Sequence, residues 1–391
     1  MSARNTQPMP TAYALSNISL PSPRNHRLHA LCPYFAMFPP AFAKESILAF
    51  TKPGDVVYDP FAGRGTTLLE ALLNDRRAIA SDINPVAWCV CAAKAKPATL
   101  SEAKRAIQQL RGSYVRASSA ALEQEADSLP EFFRYAFHRE TTKQLLFLRR
   151  ALNLHRRVDR FVAGILLGHL HGELNRSDYY LSNQMPHSIS TKPAYSIQYW
   201  KTRGLHPPER DVFAVLLNRT ELRLSDGVPD RRGIASRCDV RATHRVFRKY
   251  IGAVSAIITS PPYLDVTRFE EDQWLRLWFL GGPANPTYSK VSRDDRHSSG
   301  DRYWDFLAEA WRSLALLLKP KGHLICRIGT GKEDPEELAE NLVETVKDAW
   351  PNAKFAHHPV ISGTQKRQTT VLNAGAVGCR YEIDFSFVCP Q

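Results

Sequence analysis

The feature that most constrains this chain is a short apolar strand closed by a glycine-rich turn. Residues 55–58 read Asp-Val-Val-Tyr, and residues 59–67 continue as Asp-Pro-Phe-Ala-Gly-Arg-Gly-Thr-Thr. Residues 68–73 then predict a helix, and residues 77–80 predict a second strand that ends at Asp82. Strand, glycine turn, helix and strand in this order form one βαβ unit.

The glycine turn predicts a binding site for a nucleoside-containing ligand. Gly63 and Gly65 have no Cβ, so a ligand can approach the backbone N–H groups and the N-terminus of the following helix. A carboxylate at the end of the next strand, Asp82, suits the two hydroxyls of a ribose. The third glycine of the dinucleotide fingerprint is replaced by Leu68, which favours a nucleoside without a pyrophosphate over NAD. The alternative is an ordinary turn beside a surface Asp.

A second motif follows the clearest strand of the C-terminal half, residues 253–258. It reads Thr-Ser-Pro-Pro-Tyr at positions 259–263. Two prolines cannot continue a central strand, and they stiffen the turn. Such a turn can present the Ser260 hydroxyl and the Pro261 carbonyl as acceptors to an amino group, with Tyr263 as a flat face for a base. Two fixed acceptors would orient a weakly nucleophilic aromatic amine for attack on a methyl group. The alternative is a proline-rich loop without a function.

The remaining pattern predicts an α/β protein with a doubly wound, mostly parallel sheet. Residues 1–25 are interpreted as a flexible lead-in, and residues 26–99 and 233–391 as the sheet domain. Residues 100–232 are interpreted as a mostly helical insertion. Within it we predict helices over about 101–126, 141–174 and 207–222, with no clear period between 175 and 204.

Composition narrows the classes of partner. The formal net charge is +13, from 52 Lys and Arg against 39 Asp and Glu, which favours a polyanion such as a nucleic acid. Seven Cys, an odd number without zinc-site spacing, indicate reduced thiols, a cytoplasmic location and no metal. We find no signal peptide and no apolar run long enough to span a bilayer, so no membrane association is expected.

Taken together, the motifs at 59–67, 82–85 and 259–263, with Phe38-Pro39 and the helix after it, resemble those of the amino-methylating DNA methyltransferases. The resemblance covers roughly residues 26–95 and 233–390. It implies a Rossmann-like methyltransferase sheet and S-adenosylmethionine as the cofactor. The implied cofactor-binding residues are Phe38, Asp59, Phe61, Gly63, Gly65, Thr66, Asp82 and, from a looser match, Asp239. The implied catalytic residues are Ser260, Pro261, Pro262 and Tyr263.

The resemblance predicts methyl transfer to the exocyclic N4 of cytosine in DNA, because a Ser before Pro-Pro-Tyr is more typical of that branch. Adenine-N6 methylation in DNA, amino methylation of an RNA base and a catalytically silent DNA-binding subunit remain alternatives. No Pro-Cys dipeptide occurs in the chain, which argues against methylation at ring carbon 5. A cognate restriction endonuclease is a candidate partner, and the oligomeric state and the target sequence are left open.

DNA contacts are predicted from Lys, Arg, Asn and Gln, which hold phosphates or read base edges. Residues 175–205 are our hypothesis for the sequence-reading segment, with a solvated polar loop as the alternative. The candidate DNA-binding residues are Arg176, Asn183, Gln184, Lys192, Arg268, Arg293 and Arg296.

Overall fold

The computed structural model describes residues 25–34, 38–172, 179–184, 192–263, 269–287, 300–330, 334–363, 379 and 381–390. Its described strands form one sheet in the order β3-β2-β1-β4-β5-β7-β6. Neighbouring strands from β3 to β5 pair in parallel, whereas β7 is antiparallel to both β5 and β6. The predicted α/β class and mostly parallel sheet are confirmed. The strands are Val56–Asp59 (β1), Arg77–Asp82 (β2), Ile234–Arg237 (β3), Val254–Thr259 (β4), Leu318–Thr330 (β5), Lys354–Gly363 (β6) and Tyr381–Cys389 (β7).

Helices cover both faces of the sheet. None of those described is long and apolar enough to cross a membrane. The helices are Pro40–Phe50 (α1), Thr66–Leu73 (α2), Pro85–Ala95 (α3), Leu100–Arg116 (α4), Ser119–Ser128 (α5), Glu131–Ala136 (α6), Arg139–Ala151 (α7), Arg157–Leu167 (α8), Pro193–Thr202 (α9), Val212–Arg223 (α10), Thr243–Val246 (α11), Phe269–Asp272 (α12), Trp274–Phe279 (α13), Gly300–Ala315 (α14) and Pro335–Ala349 (α15).

Alternating side chains of the central strands divide the core into two layers. Val57 packs with apolar residues of α1, α2 and α3 on one face. Val56 and Tyr58 point the other way and pack with α14 and α15. Because successive strand residues face opposite sides, a strand that is buried along its whole length needs helices on both faces.

Four expectations for residues 100–232 were wrong in detail. The predicted helix 101–126 is two helices: Thr99 and Glu102 form a capping box for α4, and Ser118 caps α5. The predicted helix 141–174 is also divided, into α7 and α8. The last helix begins after its cap Asp211 rather than at Pro207. Helix α9 was missed, because its sequence shows no clear apolar period.

The helices of residues 100–232 share their hydrophobic core with the sheet domain. Phe161 and Leu166 of α8 belong to the same buried cluster as Val90 of α3. Gly164 permits this close packing, since a Cβ there would lie 3.1 Å from the Cβ of Ala93. The helical block is therefore joined to α3 through a continuous interior.

Candidate active site

The glycine turn and the proline turn leave the sheet at the same edge. Strand β1 pairs in parallel with β4, with Tyr58 opposite Ile257, and each turn follows the carboxyl end of its strand. The strand order reverses between β1 and β4, since β2 and β3 lie on one side and β5 on the other. Ligands of doubly wound sheets bind in the crevice at such a switch point.

Hydrogen bonds join the two turns directly. The Thr259 hydroxyl donates to Oδ1 of Asp59 at 2.7 Å. The Thr67 hydroxyl, at the start of α2, donates to the carbonyl of Ile258 at 3.1 Å. All four residues are buried, so these bonds fix the relative position of the turns.

The glycines of the first turn are required by both conformation and space. Gly63 and Gly65 have φ angles of +48° and +75°, in the left-handed region. A Cβ at Gly65 would lie 2.9 Å from Sγ and 3.2 Å from Cα of Cys91 on α3. A Cβ at Gly63 would lie 3.3 Å from the ring of Tyr34. The backbone of this turn is thus enclosed by α3 and by the segment before α1.

Asp82 lies at the end of β2 against the same turn. Its Oδ2 accepts from the Gly63 N–H at 2.8 Å, and its Oδ1 accepts from the Asn84 N–H at 3.0 Å. Burial raises the pKa of this carboxyl to about 6, although both hydrogen bonds favour the ionised form. The Asn84 side chain caps α3 and donates to the Tyr34 hydroxyl at 3.2 Å. Sequence analysis assigned no individual role to Tyr34 or Asn84, although Asn84 lies within the motif at 82–85.

Asp59 offers an unsatisfied acceptor inside the crevice. It is 1% exposed, and burial raises its pKa to about 7. Its Oδ2 is buried and has no hydrogen-bond partner among the described residues. Such an atom fits a donor or a positive charge on a ligand. Together with the glycine turn and Asp82, it fits S-adenosylmethionine, which carries ribose hydroxyls, an ammonium and a sulfonium.

A buried lysine on α3 donates a hydrogen bond to the glycine turn. Lys94 of α3 is 0% exposed, and its Nζ donates to the carbonyl of Arg64 at 2.7 Å. Burial lowers the pKa of Lys94 to about 7, with a further contribution from the charge of Arg64. This contact holds the carbonyl between the two glycines. A lone Lys in an apolar helix gave no signal for it.

The proline turn directs Tyr263 mainly into the protein. Ser260 is partly exposed, and its hydroxyl donates to the Tyr263 hydroxyl at 3.4 Å. The Tyr263 hydroxyl in turn donates to Oε1 of Glu382 on β7 at 3.1 Å. Burial, followed by the charge of Glu382, raises the pKa of Tyr263 well above its usual range. Tyr263 is 8% exposed, so little of its ring lies open for stacking in this conformation.

Space for Tyr263 is made by a glycine on β5. A Cβ at Gly329 would lie 2.6 Å from Cε2 of Tyr263. Gly329 is directly opposite Glu382 in the antiparallel pairing of β5 and β7. One cross-strand pair therefore provides both the cavity for the ring and the acceptor for its hydroxyl. Sequence reasoning missed this pair because Glu382 is 119 residues away from Tyr263.

The other predicted cofactor residues occupy more than one environment. Phe38 packs edge to face on Phe42 at the start of α1, with ring centroids 5.2 Å apart. Phe61 packs edge to face on Phe306 of α14, with ring centroids 6.0 Å apart. Thr66 is buried at the N-terminus of α2. All three belong to segments that flank the glycine turn.

Asp239 follows β3, the strand next to β2, and so lies along the same edge of the sheet. Its carboxylate accepts from the backbone N–H of Arg241 at 2.9 Å and from the guanidinium of that residue. These interactions lower the pKa of Asp239. The carboxylate is therefore already held within the protein.

The structure corrects one predicted DNA contact. Asn183 is 2% exposed, and its Nδ2 donates to the carbonyls of Tyr135 and Leu205 at 3.1 and 3.2 Å. Its amide is used inside the protein and has no free edge for a base. Gln184 is partly buried and its carbonyl accepts from Trp200, whereas Lys192 is exposed. The remaining candidates, Arg176, Arg268, Arg293 and Arg296, lie outside the described residues.

Comparison with known protein families shows which family the N-terminal part of the chain resembles. Residues 5–88, which include the glycine turn and Asp82, match the N6/N4 methyltransferase family model, described as DNA methylase. This part of the chain is therefore similar to the amino-DNA methyltransferases. The predicted resemblance is confirmed, and the match begins inside the segment interpreted as a lead-in.

Individual relatives of this methyltransferase family match over short stretches. The orphan methyltransferase M.BamHII of Bacillus amyloliquefaciens is 45% identical over 49 residues, 12% of this chain and 18% of that protein. The type II methyltransferase M.MvaI of Kocuria varians is 33% identical over 136 residues, 33% of this chain and 29% of that protein. M.Cfr9I of Citrobacter freundii, also type II, is 44% identical over 52 residues, 13% and 17% of the two chains. The chain thus matches less than a third of each relative's length.

Solved structures give a weaker similarity. TrmN from Thermus thermophilus is 13% identical, with coverage of 94% of this chain and 52% of that one, and a TM-score of 0.33. The rRNA methyltransferase aviRa from Streptomyces viridochromogenes is 15% identical, with coverage of 92% and 91% and the same TM-score. At these TM-scores, neither similarity bears on the function of the chain.

Proposed function

We propose that the chain is an S-adenosylmethionine-dependent DNA methyltransferase that modifies the exocyclic N4 of cytosine. The observation that carries the proposal is the junction of the two turns, where Thr259 bonds to Asp59 at 2.7 Å. A ligand held by the glycine turn would lie beside a group held by Ser260 and Pro261. The match of residues 5–88 to the DNA methylase model and the similarity to type II methyltransferases support DNA as the substrate.

In this proposal, the chain binds and orients the reactants. Asp82 would bind the ribose, and the unpaired Oδ2 of Asp59 would interact with a donor or a positive charge of the cofactor. The bound cofactor supplies an electrophilic methyl group on a sulfonium. Ser260 Oγ and the Pro261 carbonyl accept the two N–H groups of the base, which directs the nitrogen lone pair at the methyl carbon. Ser260 and Pro261 would hold the nitrogen in place for transfer of that methyl group, and the methylated nitrogen would release one proton to solvent.

The choice of cytosine rests on Ser260, since Ser before Pro-Pro-Tyr is more typical of the cytosine-N4 branch. Adenine-N6 is the second candidate, and the family model spans both chemistries. The target base must leave the duplex to reach the crevice. We further propose a cytoplasmic enzyme, with a cognate restriction endonuclease as a candidate partner.

We also propose that the exposed face of α9 contacts DNA. Tyr195 is 60% exposed and stacks on Tyr199, with ring centroids 6.4 Å apart. The guanidinium of Arg203 lies over the Tyr199 ring at 4.1 Å. Tyr195 and Tyr199 are four residues apart and so share one side of α9, and Arg203 follows directly after the last residue of the helix. Trp200 is 0% exposed and anchors the helix to the core. Residues 192–208 contain no Asp or Glu, which suits contact with phosphates.

The test combines cofactor binding with modified-base sequencing. Purified protein is titrated with S-adenosylmethionine, and DNA from cells that express it is sequenced for N4-methylcytosine and N6-methyladenine. We expect binding and N4-methylcytosine at one sequence motif, and loss of methylation in a Ser260→Ala, Tyr263→Ala variant that still binds the cofactor. N6-methyladenine would select the second candidate. Cofactor binding with methylation of RNA alone, or no cofactor binding, would contradict the proposal.

A further inference from the structure

Three polar groups form a directed chain of hydrogen bonds at the proline turn. Ser260 Oγ donates to the Tyr263 hydroxyl at 3.4 Å, and the Tyr263 hydroxyl donates to Glu382 Oε1 at 3.1 Å. The sequence motif supplies the first two groups. The third comes from β7, and no part of the motif predicts it.

The last group determines the direction of the whole chain. An ionised carboxylate can only accept hydrogen bonds, so Tyr263 must donate to Glu382. The Tyr263 oxygen can then act only as an acceptor towards Ser260. The hydroxyl hydrogen of Ser260 is therefore used in the bond from Ser260 to Tyr263. The remaining lone pairs of Ser260 Oγ are left to accept from a group in the crevice. Without the carboxylate, Ser260 would be free to rotate and to present its hydrogen instead.

We propose that Glu382 is a positioning residue that keeps Ser260 an obligatory acceptor for the amino group of the target base. The inference rests on the proposed function and deepens it. A Ser in this position has both a donor and an acceptor, whereas methyl transfer to an NH₂ group needs an acceptor. Glu382 fixes Ser260 as the acceptor through the two hydrogen bonds that connect them by way of Tyr263.

The second oxygen of Glu382 is paired with an arginine that has further contacts of its own. Its Oε2 lies 3.4 Å from Nη1 of Arg327. Arg327 is fixed in turn by two bonds to Asp384, at 2.6 and 2.7 Å, and by the Phe42 ring 4.2 Å from its guanidinium. Because Arg327 pairs with Oε2 of Glu382, Oε1 is left to accept from the Tyr263 hydroxyl.

A double-mutant cycle with Tyr263→Phe tests the coupling. Glu382→Leu removes the acceptor and retains most of the side-chain volume, and Asp384 still pairs with Arg327. We expect kcat for DNA methylation to fall about 10- to 100-fold, with KM for cofactor and DNA unchanged and Glu382→Gln intermediate. In the Tyr263→Phe background the chain is already broken, so the same substitution should cost less than about 2-fold. Equal losses in both backgrounds, or a raised KM at normal kcat, would overturn the proposal.

A second measurement does not depend on methyl transfer. In protein labelled at tyrosine ¹³Cζ, the Tyr263 signal is assigned with Tyr263→Phe. We expect Glu382→Leu to shift that signal, whereas Glu344→Gln, an exposed site on α15, should not. An unshifted Tyr263 signal would show that Glu382 does not accept from it. A shifted signal in a protein that methylates no DNA would instead refute the proposed function and leave the hydrogen-bond chain intact.

Discussion

Replacement of Gly65 by Ala tests the most demanding contact of the glycine turn. Two costs combine at this position. The φ angle of +75° would hold the alanine in the left-handed region, which costs about 1–2 kcal/mol of folding stability. The new Cβ would also lie 2.9 Å from Sγ and 3.2 Å from Cα of Cys91. Overpacking of this kind costs about 1–3 kcal/mol, so we expect a total loss of about 2–5 kcal/mol.

Gly54→Ala separates these two costs. Gly54 has a φ angle of +87°, yet a Cβ there would meet no atom within 4 Å. It therefore reports the conformational cost alone, expected at about 1–2 kcal/mol. A Gly65→Ala, Cys91→Ala double variant should recover part of the additional loss, because it removes Sγ but leaves Cα in place.

Denaturant unfolding of the four proteins, with cofactor titration of each, provides the measurement. We expect Gly54→Ala to bind S-adenosylmethionine with normal affinity and Gly65→Ala to bind it weakly. If Gly65→Ala destabilised the protein no more than Gly54→Ala did, the packing of the turn on α3 would not be what requires glycine. If it kept normal cofactor affinity, the turn would not be the cofactor site.

Three further predictions follow from the site. Because the pKa of Asp59 is raised from an ordinary 3.8 to about 7, the ligand-free protein should lose stability as the pH rises from 4 to 7. Affinity for the cationic cofactor should instead rise, by up to about tenfold per pH unit, over pH 5–7. Calorimetry at several pH values measures both trends. Arg203→Ala should lower the slope of log K for DNA against log salt by about 0.9, whereas Lys249→Ala, before the amino end of β4, should not change it. Gly329→Ala should displace the Tyr263 ring, because the new Cβ would lie 2.6 Å from it. We expect a lower kcat with unchanged cofactor affinity, and a normal kcat would contradict the tight fit.

The sequence predicts the central fold well because local signals and tertiary context agree there. The apolar run before Asp59 is buried along its whole length in β1, and the turn after it needs glycines for a stated steric reason. The run before Thr259 likewise becomes β4. Both motifs lie at strand ends, so the βαβ pattern alone brings them to one edge.

Prediction fails where the deciding contact is distant or where local signals compete. Glu382 and Tyr263 meet only through the pairing of β5 and β7, which no local pattern encodes. Asn183 was predicted to reach DNA from its polar surroundings, but backbone carbonyls from two separate segments bind its amide. Helix α9 lacked a clear apolar period because only Ser196 and Trp200 are buried along it, and one of these two residues is polar.

The common interior of the helical block and α3 limits how residues 100–232 can be exchanged between proteins. Replacement of this segment by that of another protein would leave Val90 and Leu31 without their packing partners, because Phe161 and Leu166 would be lost with it. A chimaera would therefore need compensating substitutions on α3, whereas substitutions at exposed positions of α9 leave this interior unchanged.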